Sequence, residues 1–383
     1  MSPTPVTFTL PTAPSSYAWE ATNEEVAARY SLDPADIVRF DLNTSPTPPA
    51  LAARVLAAGR FDMPLSEYPP SDYRRLIAAA AARYGVEPAE ILPGAGADEV
   101  LDIIAKACLP FGGRAVVPTP TYAMYRVLTE QRGAKVIEVP RLRAEAGWAL
   151  DLAAVRTAAV ESAVDLVWLC SPNNPTALAE PDGTIATLLS DLAADAEGAG
   201  RPAPIVVLDE AYAEFVGTSL LGLRDGYPNL IAIRTASKAY ALAGFRVGFA
   251  IARPGIIARL APFRPPGSIS TVSVTVVTEA LLDDMILESN LARTSGERVR
   301  LIETLTTLGW SVGPSVTNFI LVEFASAERA AATAEGLLSR GLVPRTFGAA
   351  HPLAGYLRLT VRDRHENDRL IAAATELTEE NPA

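Results

Sequence analysis

The chain has 383 residues, enough for one large domain and a smaller one, and its hydrophobic content of 49% predicts a well-buried core. The formal net charge is −11, and the 33 basic residues are scattered, which argues against nucleic acid as a partner. The only histidines are His351 and His365, which argues against a histidine-based zinc site and a serine–histidine triad. Cys108 and Cys170 have no CxxC partner and are predicted to be reduced packing residues.

The N-terminal region has the composition of an arm rather than of a targeting signal. It has no positively charged segment followed by an apolar one, and no apolar stretch in the sequence is long enough to span a bilayer. We therefore expect a cytoplasmic protein without a membrane partner. Four prolines within the first 16 residues favour an arm or loop. Tyr17 and Trp19 either line the entrance of a site or simply dock on the large domain.

From about residue 71, helical segments alternate with short apolar runs. Helices are predicted over 71–83, 98–108, 122–132, 151–160 and 182–196, and strands over 114–117, 135–139, 165–169, 204–208, 230–234 and 247–252. This alternation predicts an α/β fold with a mainly parallel sheet between helices. The strand at 204–208 is apolar on both faces and is followed by Asp209, and ligands of such sheets collect at the carboxyl ends of strands.

A break rich in proline and glycine at 262–267 precedes a second unit. One long helical stretch at about 273–308 is predicted there, followed by strands near 317–324, 342–346 and 356–361 and by helices at 326–340 and 366–379. We divide the chain into an N-terminal arm that forms part of the small domain (1–45), a large ligand-binding domain (46–270) and a small α+β domain (271–383).

Lys238 is the first candidate for chemistry. It follows the hydroxyl residues Thr235 and Ser237, and Arg246 lies eight residues further on. A desolvated lysine forms a Schiff base with an aldehyde, while hydroxyls and a fork-shaped cation can hold a phosphate. The pattern therefore fits covalent binding of pyridoxal phosphate, although a Ser-Lys dipeptide alone would more often be an exposed loop.

Other residues after predicted strands suit the same ligand, each with an ordinary alternative. Asp209 could keep a pyridine nitrogen protonated or cap a helix. Tyr212 could bind the phenolic oxygen or be a half-buried tyrosine, and Tyr122 could stack on the ring or pack under its helix. Asn174 could donate to the ring oxygen or belong to a plain proline turn. The glycine-rich run 93–99 leads into a helix whose free N–H groups would bind an anion.

In this order the motifs resemble those of the fold-type I pyridoxal-phosphate aminotransferases of class I/II, and most closely the histidinol-phosphate aminotransferase group. The resemblance runs from about Asp41 to Arg369. The motifs that carry it are Gly96-Ala97-Asp98-Glu99, Pro118-Thr119 with Tyr122-Ala123-Met124-Tyr125, Pro172-Asn173-Asn174-Pro175-Thr176, Asp209-Glu210-Ala211-Tyr212, Arg234 to Arg246, Thr317-Asn318-Phe319, Gly341 to Arg345 and Leu357-Arg358-Leu359-Thr360. It implies a large domain with a seven-stranded, mainly parallel sheet, a smaller α+β domain and a homodimer with shared active sites.

The resemblance also implies how the cofactor is held. Lys238 would bind it covalently and carry a proton between the substrate and the cofactor, and Asp209 would pair with the pyridinium. The other contacts implied are Asn174 and Tyr212 at the ring oxygen, Tyr122 by stacking, and Ala97, Asp98, Thr235, Ser237 and Arg246 at the phosphate.

Further matches concern the substrate and the neighbouring subunit. Arg358 matches the arginine that grips the substrate α-carboxylate, with Asn174 beside the same site, and Arg345 matches a second arginine near the distal end of the substrate. Tyr68 matches a tyrosine that reaches the phosphate of the neighbouring subunit.

Three functions fit this pattern to different degrees. The first is a reversible transaminase with glutamate as the default donor and a keto acid or phosphorylated ketone as the acceptor. The second is a decarboxylase or other lyase of the threonine-phosphate decarboxylase type on the same fold. The third, a sensor fused to a DNA-binding module, is disfavoured because residues 1–45 have neither the length nor the charge for such a module. The sequence departs from the family pattern at 43–46, at Ala177 and at 264–268, so the resemblance does not identify the substrate.

Overall fold

The computed structural model describes residues 16–61 and 63–380. The strands in these ranges are β1 (Val38–Arg39), β2 (Ile91–Gly94), β3 (Arg114–Thr119), β4 (Lys135–Pro140), β5 (Leu166–Cys170), β6 (Ile205–Asp209), β7 (Leu230–Thr235), β8 (Gly248–Ile251), β9 (Ser311–Val312), β10 (Phe319–Glu323), β11 (Leu342–Val343) and β12 (Tyr356–Thr360). The α-helices are α1 (Asn23–Tyr30), α2 (Ala50–Ala58), α3 (Arg74–Tyr84), α4 (Gly96–Cys108), α5 (Met124–Gln131), α6 (Leu152–Glu161), α7 (Thr184–Gly198), α8 (Ala213–Val216), α9 (Pro254–Leu260), α10 (Thr271–Leu281), α11 (Asp284–Thr307), α12 (Ala327–Leu338) and α13 (Arg364–Glu380). None of the helices in the described ranges combines the length and the apolar character that crossing a bilayer requires. The predicted arm lies, up to residue 15, outside these ranges.

Seven strands form the central sheet in the order β2-β8-β7-β6-β5-β3-β4. Neighbouring strands are parallel except around β8, which runs antiparallel to both β2 and β7. All of β5 is buried, and so is β6 after its first residue, because both faces of the sheet are covered. The predicted seven-stranded, mainly parallel α/β sheet is confirmed.

Helices cover the two faces of this sheet. On one face, α4 buries Val100, Leu101 and Ile104 at helical spacing, together with side chains from α5 and α9. On the other face, α6 and α7 pack over β5 and β6, and the layer continues with α2, α3 and α10 over β2 and β8. The edge at which β5, β6 and β7 end is left open for a ligand.

A smaller unit is built around a three-stranded antiparallel sheet, β12-β10-β9, packed by α11, α12 and α13. The short β1 pairs in parallel with β11, so Val38 and Phe40 lie in the same apolar cluster as Leu342. Residues from both ends of the sequence thus form this unit. The proposed boundaries at 45/46 and 270/271 remain predictions.

Two predicted elements differ from those observed. The helical stretch at 273–308 is two helices, because Asp283 leaves helical geometry and its side chain accepts a hydrogen bond from the backbone N–H of Met285, which caps α11. The strand predicted near 342–346 is only β11, and Arg345 then forms an isolated antiparallel bridge with Arg358. The sequence did not predict the short elements β1, β2, β9, α2, α8 and α9.

Candidate active site

A cavity of about 620 Å³ lies where β5, β6 and β7 end. Twelve predicted site residues line it, namely Ala97, Asp98, Tyr122, Asn174, Asp209, Tyr212, Thr235, Ser237, Lys238, Arg246, Arg345 and Arg358. Tyr68 does not line it and is 89% exposed. The central sheet and the smaller unit, which contributes Arg345 and Arg358, therefore bring together residues that are far apart in the sequence.

The amine of Lys238 lies inside this cavity. Its Nζ donates to the carbonyl oxygen of Leu42 at 3.4 Å and lies 5.8 Å from the centre of the Tyr212 ring. Burial, and after it the charge of Arg358, lowers the pKa of Lys238 to about 8. A sizeable fraction of the amine is therefore uncharged at mildly alkaline pH, the form that acts as a nucleophile or base.

Asp209 is the last residue of β6 and is buried. The hydroxyl of Tyr125 donates to Oδ2 of Asp209 at 2.8 Å, and the backbone N–H of Ala211 donates to Oδ1 at 2.9 Å. Burial raises the pKa of Asp209 to about 6 in spite of these bonds. A cation beside it, such as a protonated pyridine nitrogen, would restore the ionised form. The alternative role as a helix cap is not seen, because the cap position of α8 is Tyr212.

Tyr125 was named only as part of a motif and not as a site residue. Its ring stacks on Trp168 with the ring centres 5.3 Å apart, which aims its hydroxyl at Asp209. Its position three residues after Tyr122 was the available signal, since i and i+3 positions share a helix face.

The start of α4 forms one wall of an anion cradle. The N-cap residue Ala95 gives no side-chain hydrogen bond to this first turn, and Ala97 and Asp98 face the cavity. Backbone N–H groups at a helix start bind anions. Gly248 allows the close approach, because a Cβ there would lie 2.6 Å from the backbone nitrogen of Ala97.

The opposite wall carries the hydroxyls and the arginine. Thr235 Oγ1 donates to Ser237 Oγ at 3.0 Å, and Arg246 Nη2 donates to Asp98 Oδ2 at 3.2 Å. A Cβ on Gly96 would lie 2.5 Å from Arg246 Nη2, so this position leaves room for the guanidinium. Hydroxyls, helix N–H groups and a guanidinium together suit a phosphate dianion.

Tyr122 lies beside this cradle. Its hydroxyl donates to Asp98 Oδ1 at 2.8 Å, and its ring meets the Tyr125 ring edge-on with the centres 5.7 Å apart. The ring also borders the cavity. Its predicted stacking on a cofactor ring stays a prediction.

Arg358 supplies a buried cation on the side of Asn174. One guanidinium nitrogen donates to Asn174 Oδ1 at 2.5 Å, another donates to the carbonyl oxygen of Asp41, and Nε is buried without a hydrogen-bond partner. Burial lowers the pKa of Arg358 from its ordinary value, although arginine keeps its charge. An unsatisfied buried guanidinium N–H is costly, and a bound carboxylate would satisfy it.

Asn43 and Leu42 also belong to the site, although the sequence did not predict them. The side-chain amide of Asn43 donates a hydrogen bond to the Tyr212 hydroxyl at 3.0 Å, and the carbonyl oxygen of Leu42 accepts one from Lys238 Nζ. Burial raises the pKa of Tyr212, so its hydroxyl stays protonated. The sequence signal for Asn43 was its position in the segment 43–46.

These features together fit pyridoxal phosphate. The half-buried lysine is suited to bind an aldehyde, the buried carboxylate a pyridinium and the glycine-lined cradle a phosphate. The unsatisfied Nε of Arg358 leaves a place for a substrate carboxylate. Fold and site thus define a pyridoxal-phosphate enzyme of fold-type I.

Comparisons with known proteins agree with this class. The profile of the family "Aminotransferase class I and II" matches residues 37–373. Histidinol-phosphate aminotransferase from Symbiobacterium thermophilum is 37% identical over 341 residues, covering 88% of this chain and 90% of that protein. The enzyme of the same name from Roseiflexus castenholzii is 36% identical over 364 residues, covering 92% and 93%. The crystal structure of histidinol-phosphate aminotransferase from Sinorhizobium meliloti in complex with pyridoxal-5'-phosphate superposes with a TM-score of 0.84 at 26% identity, covering 95% and 96%.

The chain belongs to the class I and II aminotransferase family. It is a pyridoxal-phosphate-dependent aminotransferase, and its substrates are amino acids and keto acids.

Proposed function

We propose that this aminotransferase moves an amino group from an amino acid, with glutamate as the default donor, to a keto acid or phosphorylated ketone. The observation that carries the proposal is the placing of Lys238 in one cavity with the Asp209 carboxylate, the α4 cradle and the Arg358 guanidinium. Histidinol phosphate, which gives the relatives their name, is a candidate substrate for this chain.

Bound pyridoxal phosphate supplies an electron sink for the pair left at the substrate α-carbon when a proton is removed. Lys238 Nζ takes that proton and returns it, which its lowered pKa allows. Asp209 supplies negative charge at the pyridine nitrogen, and Tyr125 holds its carboxylate in place. Arg358 orients an amino acid or keto acid by its α-carboxylate, so that the bond to be broken lies beside Lys238.

Other contacts are assigned in the same way. We assign the cofactor phosphate to Ala97, Asp98, Thr235, Ser237 and Arg246, with Tyr122 against the ring and with Asn174 and Tyr212 at its oxygen. We further propose a homodimer in which Tyr68 of each subunit reaches the other subunit's phosphate, and a cytoplasmic location. The high exposure of the Tyr68 side chain in a single chain supports the proposed homodimer.

A lysine variant tests the proposal directly. The sequence has only three lysines, Lys106, Lys135 and Lys238, so the covalent site can be assigned without ambiguity. Lys238→Ala should remove the visible absorbance band of covalently bound cofactor and all turnover, whereas Lys135→Ala, at an exposed position, should change neither.

The wild-type protein is then mixed with single donors, including glutamate and histidinol phosphate. Bleaching of the band together with formation of a keto product supports transamination. Release of carbon dioxide without a keto product would instead favour the lyase. Full turnover by Lys238→Ala would contradict both the transaminase and the lyase hypotheses.

A further inference from the structure

The segment at residues 16–22, before α1, borders the active-site cavity. Tyr17 and Trp19 both line it, and their rings meet edge-on with the centres 4.8 Å apart. The Tyr17 ring also lies 6.3 Å from the Tyr122 ring, measured between centres. Both side chains therefore lie at the cavity, and Tyr17 also lies near Tyr122 of the large domain.

The same segment engages Arg345 through three groups. Arg345 Nη1 donates to the carbonyl oxygen of Ala18 at 2.7 Å and lies 3.5 Å from Oε1 of Glu20. The guanidinium also lies over the Tyr17 ring, 5.3 Å from its centre. The positive charge of Arg345 is therefore already compensated by a carboxylate of the chain itself.

Glu20 is held in this position by more than its charge. Its Oε1 accepts hydrogen bonds from the backbone N–H of Thr346 at 2.8 Å and from the Thr346 hydroxyl at 2.9 Å. The side chains of Arg345 and Glu20 are only 17% and 18% exposed. An ion pair of this kind is screened less by solvent than a surface pair.

Arg358 is in the opposite situation. Among the described residues no carboxylate forms an ion pair with it, because the carboxylate of neighbouring Asp41 is taken by Arg39 at 2.6 Å. Within the described ranges the hydrogen bonds of the Arg358 guanidinium go to neutral oxygens, the group lies over the Phe319 ring at 5.4 Å from its centre, and Nε has no hydrogen-bond partner. The cavity thus offers one uncompensated cation for an α-carboxylate and one neutralised cation beside an aromatic wall.

We propose that Glu20 is a specificity-determining residue that neutralises Arg345 and so favours substrates with a single carboxylate and an uncharged aromatic distal end. Tyr17, Trp19 and Tyr122 supply the rings against which such a group packs. A substrate with a distal carboxylate or phosphate has to displace Glu20 before it can use Arg345. Such dianionic substrates are still accepted, but with lower efficiency than aromatic ones.

This inference rests on the proposed function, but it can be tested by binding alone. The probes are two carboxylates without an amino group, 3-phenylpropanoate and the dicarboxylate glutarate, titrated into cofactor-loaded protein by calorimetry. Wild-type protein should bind 3-phenylpropanoate more tightly than glutarate by about tenfold. Glu20→Gln keeps an acceptor for Thr346 but removes the charge, and should tighten glutarate by about tenfold while changing 3-phenylpropanoate by less than about twofold.

Two further variants sharpen the result. Glu24→Gln removes the same charge from an exposed position in the first turn of α1, and should leave both affinities at the wild-type values. In a protein that also carries Arg345→Gln, Glu20→Gln should no longer increase the affinity for glutarate, because the Glu20–Arg345 ion pair is already absent.

A glutarate affinity unchanged in Glu20→Gln, or improved equally with and without Arg345, overturns the inference. So does a wild-type preference for glutarate. An absence of donor-dependent bleaching would instead count against transamination, and the binding results would still decide the role of Glu20.

Discussion

Asp209 is buried and Lys238 is half-buried, and loss of solvent disfavours the charged forms of both groups. The pKa of the carboxyl is raised to about 6 and that of the amine is lowered to about 8. Without a ligand, each group therefore costs folding free energy at the pH where it is ionised. A cofactor that pairs with the carboxylate and reacts with the amine would remove both costs, so both groups would favour its binding.

The Asp209 cost can be measured in cofactor-free protein. Because the folded-state pKa is raised from 3.8 to about 6, the stabilising effect of the protonated acid is complete below about pH 4 and is lost as the pH rises through about 6. Asp209→Asn should therefore be more stable than wild type at pH 7.5, by on the order of 2–3 kcal/mol, with little difference near pH 4.

Thermal unfolding across this pH range gives the comparison, with exposed Asp182→Asn as a control. An offset that does not depend on pH would contradict the explanation. With cofactor bound the order should reverse, because the variant lacks the charge that pairs with the pyridinium.

At the scale of elements, the site depends on how closely α4 approaches β8. The first strand residue, Gly248, lies against the backbone of Gly96 and Ala97. A glycine is required there by space and not by backbone dihedral angles, because an added Cβ would meet main-chain atoms that cannot rotate away. The position of the phosphate cradle relative to the sheet is thus set by one missing side chain.

Gly248→Ala should push the start of α4 away from the sheet. We expect a loss of stability of about 1–3 kcal/mol and weaker cofactor binding. Gly244→Ala is a matched control, because a Cβ there meets nothing within 4 Å. Cofactor titration and thermal unfolding report the two effects, and equal behaviour of the two variants would show that the contact is unimportant.

The break between α10 and α11 is one feature that the sequence pattern did not predict. Helical periodicity continues through residues 273–308, but the aspartate at its middle caps a new helix. Asp283→Ala should lower stability by about 1 kcal/mol, because the Met285 N–H loses its acceptor. Glu288→Ala, on an exposed position of α11, should cost less, and chemical denaturation of both variants makes the comparison.

At the scale of the whole molecule, one predicted contact is missing from the single chain. Tyr68 is exposed and lies outside the cavity, as expected if it serves a neighbouring subunit. The exposed Leu65 lies three residues away and would be covered by the same partner. A homodimer with shared sites therefore predicts complementation between inactive subunits.

Mixing Tyr68→Ala with Lys238→Ala tests this. If Tyr68 acts across the interface, each mixed dimer contains one site with a native lysine and a native tyrosine, so activity should exceed that of either parent. Light scattering should give twice the mass of 40.5 kDa. A tyrosine acting within its own subunit would give no gain on mixing.

The amino-acid sequence by itself determined the fold class and most of the site. Strands that are apolar on both faces predict a buried parallel sheet, and chemical groups placed just after them must meet at one edge of it. This is why Asp209 and Lys238 could be named without coordinates, whereas Arg246, which precedes β8, was named from its spacing to Lys238 and from the family resemblance. Their roles in binding the cofactor remain predictions that the variants above address.

Only the tertiary structure decided what depends on contacts between distant segments. The hydroxyl of Tyr125, on α5, donates a hydrogen bond to Asp209 at the end of β6 because the Tyr125 ring stacks on Trp168 of β5. Asn43 forms a hydrogen bond with Tyr212, which lies more than 160 residues further along the chain. Glu20 forms an ion pair with Arg345, which lies more than 300 residues further along. Periodicity and propensity describe neighbours along the chain, so they contain no information on such pairs.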